Sequence, residues 1–289
     1  MKIPLPSNTV SVSDPQELVR HFSSTYFGLR IGLAILAFAF PFILFAYGKL
    51  RHGLDLQPSM SSYFWAAAGE VQCATFPMRT LFVGFLCAIA VGLHAYKGFT
   101  PLENTLLNAA ALCAAAVAIF PESIDPREAK TDPHIATLFQ TCRAVHTWAE
   151  QDGTQVHLVA AVALFVLLAI VSWSCAEKTL EFAPPTVDVE SFRRTYKGLA
   201  LAMLLFPLPG LAAAWLFGLW DTHKVFFIEA AGILIFGAYW ALKSREMWLS
   251  QPEKEPQQAV DNARRRQQRR ADAAAAKADD AAGPIDTHR

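Results

Sequence analysis

The chain has 289 residues, of which 53% are hydrophobic and only 17% are charged. Its 25 Lys and Arg residues balance 25 Asp and Glu residues, so the formal net charge at pH 7 is zero. This composition excludes an ordinary soluble domain, and the zero net charge argues against a nucleic-acid partner, which would need a basic surface.

Six apolar stretches follow one another along the chain, and the segments between them hold nearly all the charged residues. They cover residues 27–47, 81–96, 105–120, 156–175, 199–217 and 225–242. An α-helix needs roughly 17 to 25 residues to cross a hydrocarbon core of about 30 Å, and the second and third stretches are at the short limit. The sequence therefore predicts an all-α protein, a polytopic membrane bundle of six transmembrane helices.

Both ends of the chain are polar. Residues 14–17 read Asp-Pro-Gln-Glu, which is typical of a helix start, and no cleavage site follows the first apolar stretch. We expect a short interfacial helix within residues 1–26, a transmembrane domain over residues 27–245, and a basic, largely disordered tail over residues 246–289. The five arginines at 264–270 would either contact anionic lipid or remain solvated.

Basic residues are unevenly divided between the two sides that six spans define. If the N-terminus is cytoplasmic, ten Lys and Arg residues before position 246 and eight in the tail lie inside, and seven lie outside. This distribution favours a bacterial inner-membrane protein with both termini in the cytoplasm.

The two larger outer loops carry further signals. The first, residues 48–80, mixes hydroxyl and aromatic residues and is expected to fold back against the bundle. The second, residues 122–155, has apolar residues at helical spacing that predict an amphipathic helix: Ile135, Leu138, Phe139, Cys142, Val145 and Ala149. Cys73 and Cys142 lie in these loops and would form a disulfide in an oxidising compartment, unless both remain free thiols.

The fifth apolar stretch contains Pro207, Pro209 and Gly210. Each proline removes a backbone N–H donor and clashes with the preceding helical turn, so we expect a kink in this span. The kink would serve either helix packing or gating.

Polar residues within or beside a span are costly, which makes them candidates for function. On the outer side they are Ser61, Tyr63, Arg79, His157 and Glu229. Glu229 is five residues beyond Lys224, or about 7.5 Å deeper along its helix. Two interpretations are open: an ion pair between Arg79 and Glu229 that joins the second and sixth helices, or a polar pocket that holds a lipid headgroup or a small substrate.

A second polar group is expected at the inner ends of the spans. Its members are Lys97, Glu103, Asn104, Asn108 and Lys243. Asn104 and Asn108 are four residues apart and share a helix face, where they would bond a neighbouring helix or cap the inner turn. We interpret this group as structural.

No motif has the spacing of a haem or metal site. His94 and His157 lie at opposite ends of their spans, which argues against haem between them. Zinc held by His157 and Glu229, with His134 and His146 on the same side, is a weaker alternative. We expect no bound metal or cofactor.

Short motifs between residues 27 and 245 form an ordered series: Ser61-Ser62-Tyr63, residues 78–84, Tyr96-Lys97-Gly98, Glu103-Asn104, Asn108, Phe120-Pro121, His157, Glu229, Phe236-Gly237, Trp240 and Lys243. This series resembles a group of uncharacterised bacterial multi-pass membrane proteins and, more distantly, the six-helix Frag1/DRAM/Sfk1 type. In that group the serine and tyrosine lead more directly to the arginine, whereas residues 64–77 intervene here. The group has no established activity, so the resemblance implies an architecture and candidate residues only.

Three functions are open on this basis. The first is an integral membrane protein that binds lipid or a protein partner through the outer pocket or the basic tail; membrane lipids are its expected partners, and the sequence identifies no protein partner. The second is an intramembrane hydrolase of a lipid ester or amide, with Ser61 or a metal-bound water as nucleophile and Glu229 as base or ligand. The third is a small proton- or cation-linked transporter that uses Glu229 as its ion site and the proline kink as a hinge.

Overall fold

The computed structural model describes residues 15–66, 76–122, 153–250 and 256–282. These ranges contain the α-helices α1 (Pro15–His52), α2 (Pro77–Ala95), α3 (Pro101–Ile119), α4 (Gly153–Ile170), α5 (Val189–Leu204), α6 (Pro207–Leu216), α7 (Trp220–Ser250) and α8 (Pro256–Ala282). A π-helical turn, Val171–Cys175, and a 3₁₀ helix, Ala176–Phe182, continue α4, and a second 3₁₀ helix, Ser61–Phe64, lies between α1 and α2. No β-strand occurs in the described ranges, which confirms the predicted all-α class.

Five helical segments are each long and apolar enough to cross a membrane: Ser24–His52, Pro77–Ala95, Pro101–Ile119, Gln155–Phe182 and Trp220–Ser250. The sixth predicted span consists of α5 and α6, which are bent by 71° at the break between them. The break immediately precedes Pro207, so the kink predicted from the prolines is confirmed. The chain is therefore a polytopic membrane bundle.

The first and the last span of the chain, α1 and α7, are longer than predicted. α1 has 38 residues, so the interfacial helix expected before the first span is continuous with that span. α7 has 31 residues and continues to Ser250, beyond the predicted end at Leu242. The sequence analysis predicts a largely disordered tail, but residues 256–282 form the helix α8. This segment is rich in Ala, Arg and Gln, which have high helix propensities.

Local sequence explains where several helices start and stop. α2, α3 and α6 each have a proline in the first turn, where its missing N–H has no helical acceptor to lose. The Thr100 hydroxyl accepts a hydrogen bond of 3.1 Å from the Glu103 N–H and caps α3. α1 ends at His52, and the next residue, Gly53, has a φ of 66°, which suits glycine.

The spans form a closed ring in the order α7, α1, α2, α3, α4, α5 and back to α7, and α6 packs on α7. Aromatic residues fill part of the interior; the rings of Tyr96 and Trp240, for example, meet edge to face with centroids 4.9 Å apart. On the outside, large apolar side chains are exposed, with Ile35 at 61%, Val91 at 68% and Leu112 at 73%. Lipid tails, unlike water, solvate such a surface without cost.

The two ends of the bundle are named here after carboxylates of α7. At the Glu229 end, α1, α3 and α6 finish and α2, α4 and α7 begin. At the Glu246 end, α2 and the continuation of α4 finish, α3 and α5 begin, and α7 finishes.

Two predictions fall outside the described residues. They are the amphipathic helix at residues 133–149 and the disulfide between Cys73 and Cys142. The cysteines inside the described ranges, Cys87, Cys113 and Cys175, are free thiols.

Candidate functional site

The connection after α1 folds back onto the start of α7, as predicted. The Phe226 N–H donates to the Pro58 carbonyl oxygen at 2.9 Å. The His223 Nε2 atom donates to the Leu56 carbonyl oxygen at 2.8 Å. These contacts hold the 3₁₀ helix Ser61–Phe64 against the bundle at the level of Glu229.

Ser61 bridges Glu229 and His157, which belong to different helices. The Ser61 Oγ atom lies 2.7 Å from Glu229 Oε1 and 3.0 Å from His157 Nε2. Glu229 Oε2 accepts two main-chain hydrogen bonds, from the Met60 N–H at 2.5 Å and the Ser61 N–H at 3.3 Å. His157 Nδ1 lies 2.8 Å from the Phe120 carbonyl oxygen. The structure thus brings three of the five predicted site residues into one hydrogen-bonded chain, called here the Glu229–Ser61–His157 chain.

The number of hydrogens in this chain is constrained. The Phe120 carbonyl oxygen only accepts, so His157 Nδ1 must carry a hydrogen. If Ser61 donates its single hydroxyl hydrogen to Glu229, His157 Nε2 must donate to Ser61, which gives a carboxylate and an imidazolium. If Glu229 is protonated instead, it donates to Ser61, and Ser61 donates to neutral His157. Both arrangements have zero net charge, and moving between them only shifts protons along existing hydrogen bonds.

Glu122 forms a second carboxylate group beside this chain, and sequence reasoning missed it. Ser59 Oγ donates to Glu122 Oε2 at 2.9 Å, and Trp65 Nε1 donates to the Glu122 carbonyl oxygen at 2.9 Å. The Ser62 N–H donates to Ser59 Oγ at 2.9 Å. The signal available was the position of Glu122 directly after the Phe120-Pro121 motif, at the end of a span.

Tyr63 has a packing role in the described structure. Its ring is fully buried and lies 6.5 Å from the ring of Phe226, between centroids. Burial raises the pKa of Tyr63 to about 12. The phenol therefore stays neutral at physiological pH.

The predicted ion pair between Arg79 and Glu229 is wrong. The Arg79 guanidinium lies 3.9 Å from the ring centroid of Phe76 and 4.2 Å from that of Phe64, and its Nε donates to the Phe64 carbonyl oxygen at 3.4 Å. Cation–π contacts of this kind contribute about 0.5 to 2 kcal/mol each. The Glu229 carboxylate is instead bound by main-chain and hydroxyl donors, and the Arg79 guanidinium is held by aromatic rings.

At the Glu246 end, Lys243 and Glu246 form an ion pair of 3.1 Å with both side chains fully buried. Lys243 Nζ also donates to Thr179 Oγ1 at 2.5 Å and to the Ala176 carbonyl oxygen at 3.1 Å. Glu246 accepts hydrogen bonds from the Tyr196 hydroxyl at 2.5 Å and the Thr179 hydroxyl at 2.6 Å. We call these four side chains the Lys243 cluster.

The remaining predicted inner residues do not join the Lys243 cluster. Glu103 is fully buried and accepts a hydrogen bond of 2.9 Å from the Phe99 N–H, next to the α3 cap. Asn104 and Asn108 share a face of α3, and among the described residues their Oδ1 atoms are buried without a hydrogen-bond partner. Lys97 is exposed. The predicted inner group is therefore divided between a helix cap, a face of α3 and a separate ion-pair cluster.

Within the described ranges, no three His, Cys, Asp or Glu side chains are placed to hold a metal ion. His134 and His146 lie outside those ranges.

No known protein family, characterised protein or solved structure matches this chain. The resemblance to the Frag1/DRAM/Sfk1 type therefore stays a prediction, and the function has to be argued from the two polar clusters themselves.

Proposed function

We propose that this protein is a proton-linked transporter that takes up a small polar solute or a lipid headgroup at its Glu229 end. The observation that carries the proposal is the Glu229–Ser61–His157 chain. Its two proton arrangements differ only in where the protons sit, so a ligand that pairs with one end of the chain can drive a proton to the other. Proton transfer coupled to ligand binding is the first requirement of a proton-linked carrier.

The broken helix lies beside this chain. α6 approaches α7 so closely at Gly210 that a side chain there would lie 2.7 Å from both the Ile228 nitrogen and the Phe227 carbonyl oxygen. Ile228 directly precedes Glu229. Discontinuous helices beside an ionisable site are common in secondary transporters, where they move as the site changes its occupancy.

A carboxylate lies near each end of α7, half-buried at Glu229 and fully buried at Glu246. Glu229 and Glu246 are 17 residues apart, or about 25 Å along the helix axis, which is close to the thickness of a hydrocarbon core. Both carboxylates accept hydroxyl hydrogen bonds, Glu229 from Ser61 and Glu246 from Tyr196 and Thr179. This arrangement supports proton exchange on both sides of the membrane.

The proposal includes a topology. Basic residues are concentrated at the Glu246 end and in the tail, so we place that end and both termini in the cytoplasm of a bacterial cell and the Glu229 end outside. Ser61 and His157 are 3% and 6% exposed, so a small ligand fits this site better than a protein partner does.

A second candidate is hydrolysis of a lipid ester or amide, and the Ser61–His157 contact favours it. An imidazole 3.0 Å from a serine hydroxyl, with its other nitrogen held by a carbonyl oxygen, has the geometry of a nucleophile and its base. However, the Met60 and Ser61 amides that would stabilise an oxyanion already bind Glu229. Hydrolysis would require Glu229 to leave, whereas proton transfer uses the arrangement as it stands.

Charge movement after a pH jump tests the transporter proposal. Protein reconstituted in liposomes on a solid-supported membrane should give a transient current when the external pH is stepped from alkaline to acidic, because the chain can then take up a proton from solution. Glu229→Gln should reduce this current to the level of protein-free liposomes, and Ser61→Ala should reduce it because the bridging hydroxyl is lost. Ser62→Ala is the matched control, since the Ser62 side chain contacts Ser59 and not the chain.

Wild-type currents in both Glu229→Gln and Ser61→Ala would overturn the proposal. Fluorophosphonate labelling of Ser61 that disappears in Ser61→Ala would favour the hydrolase instead.

A further inference from the structure

An open pocket of about 520 Å³ lies at the Glu246 end, between α8 and the connection from residue 183 to α5. It is separate from the Glu229–Ser61–His157 chain and from the Lys243 cluster. Its charged lining consists of Arg193, Arg265, Arg266 and Arg269 with Asp188 and Glu190. We call it the Arg265 pocket. Its volume is within the range of small-molecule sites, which is about 300 to 1,000 Å³.

Polar contacts with the main chain hold α8 in place beside this pocket. The Arg266 guanidinium donates to the Ala183 carbonyl oxygen through Nη2 at 3.0 Å and through Nε at 3.3 Å. It also reaches the Pro184 carbonyl oxygen at 3.4 Å.

The acidic residues of the lining are already engaged. Glu190 pairs with Arg193 at 2.8 Å and with Arg194 at 3.2 Å. Asp188 accepts the Ser191 N–H at 3.1 Å and caps α5. Arg193 also pairs with Glu177 at 3.0 Å, so its charge is engaged as well.

Arg265 and Arg269 are the available cations. They are four residues apart, so they share one face of α8 and both line the pocket. Among the described residues neither forms an ion pair, and both are exposed. Arginine binds phosphate through a planar fork of N–H donors, which makes two adjacent guanidiniums a suitable phosphate clamp.

The pocket lies at the depth of a lipid headgroup. The fourth span ends at Phe182, and the pocket lining begins with the next residue, Ala183. We propose that the Arg265 pocket binds a phosphate group, carried either by an anionic lipid of the adjacent leaflet or by a soluble phosphorylated molecule. This site goes beyond the proposed transport function and involves none of its residues.

Two binding measurements on the full-length protein distinguish the sources. In the lipid arm, native mass spectrometry follows phosphatidic acid retained by protein extracted from phosphatidylcholine vesicles that contain it. In the soluble arm, inorganic phosphate is titrated calorimetrically into protein in a neutral detergent. A lipid source predicts retention in the first arm, and a soluble source predicts binding in the second. In either case Arg265→Gln with Arg269→Gln should weaken binding about tenfold or more.

The matched control is Arg245→Gln with Arg264→Gln. It removes two exposed positive charges at the same end of the protein but none from the pocket lining. Its affinity should stay within about twofold of the wild type. Equal losses in the two double variants would show diffuse charge attraction and overturn the proposal, as would a wild-type protein that binds neither phosphatidic acid nor phosphate.

Discussion

Lys243 and Glu246 are one helical turn apart on α7, and the structure buries both side chains completely. A buried charge that loses its partner is strongly destabilising, whereas removal of both charges is tolerated much better. We expect Lys243→Met to lower the free energy of unfolding by about 3 to 5 kcal/mol, because Glu246 would remain charged and buried. Unfolding in detergent, followed by circular dichroism, measures the change.

The double variant Lys243→Met with Glu246→Gln should cost less than the two single variants summed, because neither charge is then left alone. Arg245→Met is a matched control: the exposed Arg245 lies between the pair in sequence, and its loss should change stability by less than about 0.5 kcal/mol. Strictly additive losses would mean that the two residues are not coupled.

For individual residues, the sequence identifies polar side chains of the candidate site, but it does not identify their hydrogen-bond partners. Glu229 and His157 are identifiable because they interrupt or border apolar stretches. The partners of Glu229 include the main-chain amides of Met60 and Ser61, which any residue type supplies, so no sequence pattern predicts them. The rings that hold Arg79, Phe64 and Phe76, come from the first loop, and no sequence pattern predicts that they meet its guanidinium.

At the level of the helices, the packing of α6 on α7 at Gly210 can be tested by mutation, and this contact lies next to Glu229. A Cβ atom at this position meets the Ile228 main chain, which cannot rotate away. We expect Gly210→Ala to separate the two helices and to lower the free energy of unfolding by about 1 to 3 kcal/mol. The pH-jump current should fall as well, because Glu229 follows Ile228 directly.

Gly198→Ala is the matched control for this change. Gly198 lies in α5, on the other side of the break, and a Cβ atom there meets nothing within 4 Å. Alanine should therefore be neutral or slightly stabilising, by up to about 1 kcal/mol. Unaltered stability and current in Gly210→Ala would contradict the close packing of α6 on α7.

For the helices, the sequence predicts where a helix is broken better than it predicts how long a helix is. The break between α5 and α6 follows from Pro207, because proline acts through its own ring and missing donor. Hydropathy ends the last apolar stretch at Leu242, before Lys243 and Glu246, whereas α7 continues to Ser250. Their mutual pairing inside the bundle allows the helix to continue to Ser250, and pairing is a tertiary property that hydropathy does not contain.

For the whole molecule, the bent pair decides how many times the chain crosses the membrane. α5 starts at the Glu246 end, where the Tyr196 hydroxyl bonds Glu246. α6 finishes at the Glu229 end, where Gly210 meets Ile228. Together the two helices therefore join opposite ends of the bundle and count as one crossing. Six crossings within the described ranges place the beginning of α1 and the end of α7 on the same side.

This count predicts the outcome of a topology experiment. Green fluorescent protein fused after Ser250 should fluoresce, and alkaline phosphatase fused there should be inactive, because the proposed topology places that end in the cytoplasm. The same reporters inserted at Gly218, in the exposed turn between α6 and α7, should give the reverse pattern. If both positions report the same side, α7, the helix between them, does not cross the membrane. Glu229 and Glu246 would then not face opposite sides of the membrane, and the transporter proposal would lose its second proton-exchange site.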